Sequence, residues 1–451
     1  MTDHTGSDTI AAIATANGRG GIGVVRLSGP QALAIGAALS GRRLRPRYAS
    51  HVIFRDDRRE IIDDGIVLAF PAPHSYTGED VVELQAHGNP VLLAWLLRCC
   101  LQAGARSARP GEFTERAYRN GRLDLAQAEA VADLIAAGSE AAARAARRAL
   151  DGVFSRRVTA LQAALTALRV HVEAAIDFPE EEIDFLAEAE LMRRLDAVIA
   201  EQDALLLDAA RGRRLRDGLR VAIVGAPNAG KSSLLNALAG FERAIVTAQA
   251  GTTRDVLREA IVVDGVELTL ADTAGLRASV DAIEREGVRR ARAEWQAADL
   301  VLAVVDGSAP VPASLIAELA EAKAVWWLYN KADLVPDDRR LPVAELAAPD
   351  GLWISVRDGS GLDELRRRLR VAAGGAGDGA GDFSARARHV EALRRVGEQL
   401  RQAAIRLRID RAGELAAEEL RLAQRALDEI TGVVDSDALL GAIFAGFCIG
   451  K

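Results

Sequence analysis

One octapeptide constrains this chain more than any other feature. Gly225-Ala226-Pro227-Asn228-Ala229-Gly230-Lys231-Ser232 has the pattern G-x-x-x-x-G-K-S, set between an apolar run, Leu219 to Val224, and a helix-forming stretch, Ser233 to Ala239. A strand, a glycine-rich turn and a helix in that order aim converging backbone N–H groups and a helix dipole at one point, an arrangement suited to phosphate. Asn228, Ala229 and Gly230 form the turn, Lys231 brings a point charge to the β- and γ-phosphates, and Ser232 offers its hydroxyl to Mg²⁺. Ser233 opens the helix. Only four lysines (Lys231, Lys323, Lys331 and Lys451) stand among 57 basic residues. Where arginine has taken nearly every basic position, a surviving lysine points to a need for a compact ammonium.

Three further motifs follow in order. Asp272-Thr273-Ala274-Gly275 ends a strand, Glu267 to Ala271, that an Asp264-Gly265 hairpin turn joins to Arg258 to Val263. The aspartate is placed to hold Mg²⁺ through water, and the Gly275 N–H to sense a γ-phosphate. Asn330-Lys331-Ala332-Asp333 follows the apolar run Ala324 to Tyr329. A carboxylate at Asp333 accepts from both N1–H and the 2-amino group of guanine, which adenine cannot offer, so GTP is expected over ATP. Ser355-Val356-Arg357 follows another short strand, where a loop closes over the base; it departs from the usual Ser-Ala-Lys. Four such motifs, each at a strand's carboxyl edge, predict a GTP site on a doubly wound sheet.

The position after D-x-x-G is Leu276, which cannot orient a water molecule as glutamine does. Transition-state charge must be met otherwise. Asn228 reads either as an oxygen ligand for a monovalent cation or as a simple turn residue. Thr247, Ala248, Gln249, Ala250, Gly251 and Thr252 could add backbone oxygens, with Thr253 completing the Mg²⁺ shell.

Around this segment the texture changes twice. Residues 1–118 carry short β-forming runs (Ile10 to Ala14, Gly23 to Leu27, Val52 to Arg55, Ile66 to Phe70, Val81 to Gln85) with helices after Pro30 and Pro90. From 119 to 214, and again from 383 to 451, alanine, leucine, glutamate and arginine recur at helical spacing, with a break at Phe178-Pro179. Residues 215–372 hold the nucleotide motifs, and 373–382 form a glycine-rich tether. The expected fold is multidomain α/β plus α: an N-terminal α/β domain and a helical bundle interrupted by an inserted Ras-like P-loop domain. A net charge of −7 excludes a histone-like polybasic binder. No run of eighteen apolar residues and no leader pattern point to a cytoplasmic protein with no membrane partner. Three cysteines give no disulfide framework or metal spacing. Cys99 and Cys100 read as core.

Together with Gly225 to Ser233, the stretches Gly251-Thr252-Thr253-Arg254-Asp255 and Phe447-Cys448-Ile449-Gly450-Lys451 resemble the MnmE (TrmE) family of tRNA modification GTPases. So do Gly18 to Gly23, Tyr76 to Gln85, Arg109 to Phe113 and Leu123 to Ala130. The resemblance spans essentially the whole chain. It implies a homodimer whose N-terminal domain binds a tetrahydrofolate derivative, 5-formyl- or methylene-tetrahydrofolate, and an FAD-containing MnmG-type partner in a heterotetramer. With it the chain would add an aminomethyl or carboxymethylaminomethyl group to C5 of the wobble uridine, position 34, of certain tRNAs.

Carried onto these residues, the resemblance gives K⁺ ligands at Asn228, Thr247, Gln249 and Thr252 and a water-orienting catalytic glutamate at Glu284. Folate contacts fall on Arg26, Glu83, Arg122 and Lys451, with arginine at 122 where lysine also occurs in the family. Cys448 is open to two readings, a nucleophile toward uridine C6 or a small buried residue; without an adjacent base it reads as structural. The cluster Arg42-Arg43-Arg45-Arg47 reads as a solvated loop, with tRNA phosphate as its alternative. A regulatory GTP switch docking on ribosomes or other assemblies is the competing function, which the nucleotide motifs alone do not separate.

Overall fold

The computed structural model describes residues 8–177, 185–239, 258–263, 266–272, 296–336, 351–374, 383–432 and 437–450. The Phe178-Pro179 break, the Asp264-Gly265 turn and residues 375–382 of the tether lie outside them. The chain divides into two compact units, Met1–Ala132 with Gln424–Lys451, and Asp133–Ala423. No helix among the described residues is long and apolar enough to cross a membrane.

In the first unit six strands form one sheet: β1 (Ile10–Ile13), β2 (Gly20–Ser28), β3 (Ser50–Arg55), β4 (Ile61–Phe70), β5 (Val81–Gly88) and β6 (Arg106–Ser107). Their order is β3-β4-β5-β2-β1-β6, antiparallel throughout except for β1 with β6. Alternation sets the faces. In β3, Val52 and Phe54 point into the core while His51, Ile53 and Arg55 are exposed. Helices Ala32–Ser40 and Pro90–Gln102 cover the apolar face, closing a core around Leu27, Phe54, Leu84, Leu96 and the buried Cys99 and Cys100. Pro90 occupies the first turn, where its missing N–H costs nothing, and the Asn89 side chain accepts from Val91 N.

The end of the chain packs into this same unit. Leu440, Ile443, Phe444 and Phe447 join Leu125 and Ala128 in one buried cluster. Ile449 makes a bridge with Pro110, and Gly111 N donates to the Cys448 carbonyl at 3.4 Å. Gly450 has φ +98°, and a Cβ there would lie 2.3 Å from Ile13 O, so only glycine passes this close to β1. Cys448 itself is exposed, which corrects the buried reading: its neighbour Phe447 is the side chain that packs into the core.

In the second unit, helices Glu140–Leu150, Val153–Asp177, Phe185–Asp217 and Ala387–Ile405 form the bundle. The inserted sheet contains β7 (Leu219–Val224), β8 (Arg258–Val263), β9 (Val266–Asp272), β10 (Leu300–Asp306), β11 (Val325–Asn330) and β12 (Leu352–Trp353) in the order β12-β11-β10-β7-β9-β8. All neighbours are parallel except β8 with β9. Separate apolar clusters cover its two faces. Thus the architecture is multidomain α/β plus α, with a P-loop domain inserted in helices. Sequence reading names no strand at Leu300–Asp306. Buried on both faces, it lacks the alternation that marks a half-exposed strand.

Candidate nucleotide site

Four loops leave the carboxyl edge of the inserted sheet side by side. After β7 the chain turns through Gly225, where a Cβ would lie 2.0 Å from Val304 O, and Gly230, where one would lie 2.1 Å from Asn330 Nδ2. The turn therefore has room for hydrogen only, which lets its backbone close around a phosphate-sized anion. Asn228 has φ 64° and is exposed, Ala229 is buried, and Ser232 and Ser233 are exposed in the first turn of helix Lys231–Ala239. Lys231 Nζ donates to the carbonyls of Gly225 and Ala226 at 2.7 and 2.8 Å, which holds the ammonium over the turn.

Asp272 ends β9 in register with Ile223 of β7, so its backbone reaches the same edge beside the turn. Asn330 ends β11 and is 4% exposed. Its Nδ2 donates to Ala229 O at 2.8 Å, its Oδ1 accepts from Val356 N at 3.2 Å, and its carbonyl accepts from Gly307 N at 2.7 Å. One buried amide thus ties three loops together. Lys331 follows at φ 64° and donates to Asp306 Oδ2 at 2.6 Å. That ammonium, with the Ser308 hydroxyl, holds the Asp306 carboxyl down to about 2. Asp333 accepts from Ser355 Oγ at 2.8 Å, with Arg357 NH1 3.7 Å from its other oxygen. Ser355 is fully buried.

The structure therefore gathers Asn228, Ala229, Gly230, Lys231, Ser232, Ser233, Asp272, Asn330, Lys331, Asp333, Ser355, Val356 and Arg357 at one edge. Thr247, Ala248, Gln249, Ala250, Gly251, Thr252, Thr253, Thr273, Ala274, Gly275 and Glu284 lie outside the described residues. One contributor escapes sequence reading: Asp306, which anchors Lys331. Asn330, named from its motif, has the added part of a loop tie. The signal for Asp306 was its place at the end of an apolar run, Leu300 to Val305, before Gly307.

A second polar site lies in the first unit. Arg26 on β2 and Glu83 on β5 are cross-strand partners, with Arg26 Nε and NH2 donating to Glu83 Oε1 at 3.0 and 2.9 Å. The Arg26 guanidinium stands 5.8 Å from the ring centres of both Tyr76 and Phe113. Burial pushes the Tyr76 phenol above its ordinary pKa. Arg26 NH1 also approaches Gly450 O at 3.4 Å, which brings the chain's penultimate residue to the pair. Arg122 is exposed, and a Cβ on Gly78 would meet its stem at 3.4 Å. Lys451 lies outside the described residues. In the same unit a partly buried network not read from sequence joins Asp8, Glu79, Arg106, Glu112 and Arg116.

A family model described as "GTP-binding protein TrmE N-terminus" matches residues 9–122, and one described as "MnmE helical domain" matches residues 125–448. The chain is 58% identical over 449 residues to the tRNA modification GTPase MnmE of Xanthomonas campestris pv. campestris (strain B100), covering 98% of this chain and 99% of that one. It is 54% identical over 454 residues to the protein of the same name from Stutzerimonas stutzeri (strain A1501), with coverage of 98% and 99%. That from Pseudomonas savastanoi pv. phaseolicola (strain 1448A / Race 6) is 53% identical over 455 residues, again at 98% and 99%.

Proposed function

This chain belongs to the MnmE (TrmE) family of tRNA modification GTPases, and from that we propose that it is a potassium-activated GTPase acting with a flavoprotein partner on the wobble uridine of tRNA in the cytoplasm. It hydrolyses GTP to GDP and phosphate as a homodimer. Within the nucleotide site the glycine turn offers its backbone N–H groups to phosphate, and Lys231 places an ammonium beside the β- and γ-phosphates. Ser232 and Thr253 supply hydroxyls for Mg²⁺. Asp333, oriented by Ser355, accepts the two donors on the guanine edge, and Asn330 keeps that loop and the phosphate turn in one frame.

Asn228, Thr247, Gln249 and Thr252 are the oxygen ligands for K⁺, which when bound supplies positive charge where other nucleotide hydrolases use an arginine. Glu284 orients the attacking water in place of the glutamine that Leu276 replaces. In the N-terminal unit Arg26, Glu83, Arg122 and Lys451 hold a tetrahydrofolate derivative, with the arginines matched to its carboxylates. The observation that carries this reading over that of a bare switch is the approach of the Gly450 carbonyl to the Arg26–Glu83 pair. It brings Gly450 of the terminal segment to a polar site that nucleotide switching does not need.

Two measurements test it. Hydrolysis of GTP in KCl should exceed that in NaCl, and equal rates in the two salts remove the cation role. Mass spectrometry of wobble nucleosides, after incubation of tRNA with this protein, its flavin partner, folate and GTP, should show the modified uridine. Unmodified uridine under those conditions refutes the tRNA reading.

A further inference from the structure

The loop at residues 41–49 carries four arginines within six positions, Arg42 to Arg47. Several guanidinium groups of the unit meet carboxylates: Arg26 meets Glu83, Arg106 meets Asp8 and Glu112, and Arg119 meets Glu115. Among the described residues, none of Arg42, Arg43, Arg45 and Arg47 has a carboxylate oxygen within 4.0 Å. All four are exposed. Like charges crowded this way repel one another, at a cost in stability that a counter-charge removes.

This loop is also held in place. Gly41, left-handed at φ 64°, closes helix Ala32–Ser40, and Leu44 packs against the apolar core. Arg47 N donates to Ala69 O at 2.8 Å, Arg47 NH2 to His74 O at 2.5 Å, and Tyr48 N to Arg45 O at 3.3 Å. Arg47 lies over the Phe70 ring, with its guanidinium 5.7 Å from the ring centre. Arg45 lies at the same distance over the ring of Tyr48, a residue 56% exposed. An exposed aromatic under a guanidinium, flanked by unmatched arginines, combines the two elements that bind single-stranded nucleic acid: positive charge for the backbone and a flat surface for a base. A lipid surface would call instead for an amphipathic helix with apolar residues to insert.

We propose that residues 42–48 form a docking surface for the sugar–phosphate backbone of tRNA, with Arg42, Arg43 and Arg45 on phosphates and Tyr48 stacked on an unpaired base. The inference rests on the tRNA reading above but concerns only where the RNA is held. It is tested by anisotropy of a labelled tRNA transcript with the full-length protein across a KCl series. The triple variant Arg42→Gln/Arg43→Gln/Arg45→Gln should weaken binding about tenfold or more near 0.1 M salt. The slope of log K against log[KCl] should also become shallower by about 2, since each phosphate contact contributes about 0.7. The weakening should be equal for tRNAs of different sequence, because backbone contacts carry no base information. Tyr48→Ala should weaken binding severalfold with the slope retained.

GTP hydrolysis in potassium should stay at the wild-type rate in both variants, which shows that they are folded. A wild-type salt slope in the triple variant overturns the proposal. So does unchanged RNA binding accompanied by weaker self-association in sedimentation, which would make the loop a protein contact. Failure of the underlying reading looks different: the wild-type protein would then leave wobble uridine unmodified.

Discussion

Asp333 owes its direction to one hydroxyl. Ser355 is fully buried and donates to Asp333 Oδ1, so one carboxylate oxygen is spent on orientation. A hydrogen bond to a charged acceptor is worth about 1.5 kcal/mol or more, so Ser355→Ala should cost roughly tenfold in GTP affinity in a fluorescent-nucleotide titration. Asp333→Asn should cost about a hundredfold or more, because the amide presents a donor to the guanine N1–H. Unchanged affinity in both variants would remove these residues from base recognition. Asp306 offers a pH test. Its carboxyl is lowered from 3.8 to about 2 by Lys331, so it stabilises the fold above the unfolded value, and that contribution fades as pH falls from about 4 to 2. With a third of the pair exposed the screened effect is about 1 kcal/mol. Between pH 5 and 2.5 the wild type should lose more thermal stability than Asp306→Asn; parallel losses would refute it.

At the scale of elements, the inserted domain is anchored where its two connections to the bundle meet. Helix Phe185–Asp217 leads into β7, and the chain returns through residues 383–386 to helix Ala387–Ile405. Asp133, only 4% exposed, accepts from Arg216 Nε at 2.8 Å on the outward connection and from Arg386 NH2 at 2.8 Å on the return. Ser384 Oγ adds a third contact at 3.3 Å. A Cβ at Gly212 would lie 1.9 Å from Phe383 O, so the two connections touch backbone to backbone. Asp133→Ala removes the carboxylate that the two guanidinium groups share and should destabilise the protein by about 3 kcal/mol in denaturant titration. Asp133→Asn, which keeps an acceptor oxygen, should cost less, and equal costs would assign the whole loss to the charge, which both variants remove.

None of this junction could be read from sequence, because residues 133, 216 and 386 are far apart along the chain and each sits in an ordinary helical pattern. What could be read follows a rule. Apolar runs ending in glycine, aspartate or asparagine gave β7, β9 and β11 and the loops beyond them, since strand ends carry local chemistry. β4 begins at Ile61, earlier than the run Ile66 to Phe70, because Asp63 and Asp64 interrupt its apolar pattern while its backbone stays paired with β3. The two residues of β6 are too few to show any period.

At the scale of the whole molecule, the chain places its last residues with its first. The terminal cluster of Leu440, Ile443, Phe444 and Phe447 anchors on Leu125 and Ala128, while Gly450 beyond it reaches β1 and Arg26. The nucleotide motifs lie in the other compact unit. Deleting Ile449 to Lys451 should therefore separate the two activities. Potassium-stimulated GTP hydrolysis should persist at close to the wild-type rate, because every residue gathered at the nucleotide edge is retained. Binding of 5-formyltetrahydrofolate should weaken at least about tenfold, the loss of one charged contact at roughly 1.5–3 kcal/mol, and modified uridine should fall with it. Restoring the tail with Lys451→Ala would divide the effect: recovery of folate binding assigns it to the backbone at Gly450, and continued loss assigns it to the terminal ammonium. If the deletion left folate affinity unchanged, the tail would serve only to close the sheet, and Arg26 with Glu83 would have to hold the ligand without it.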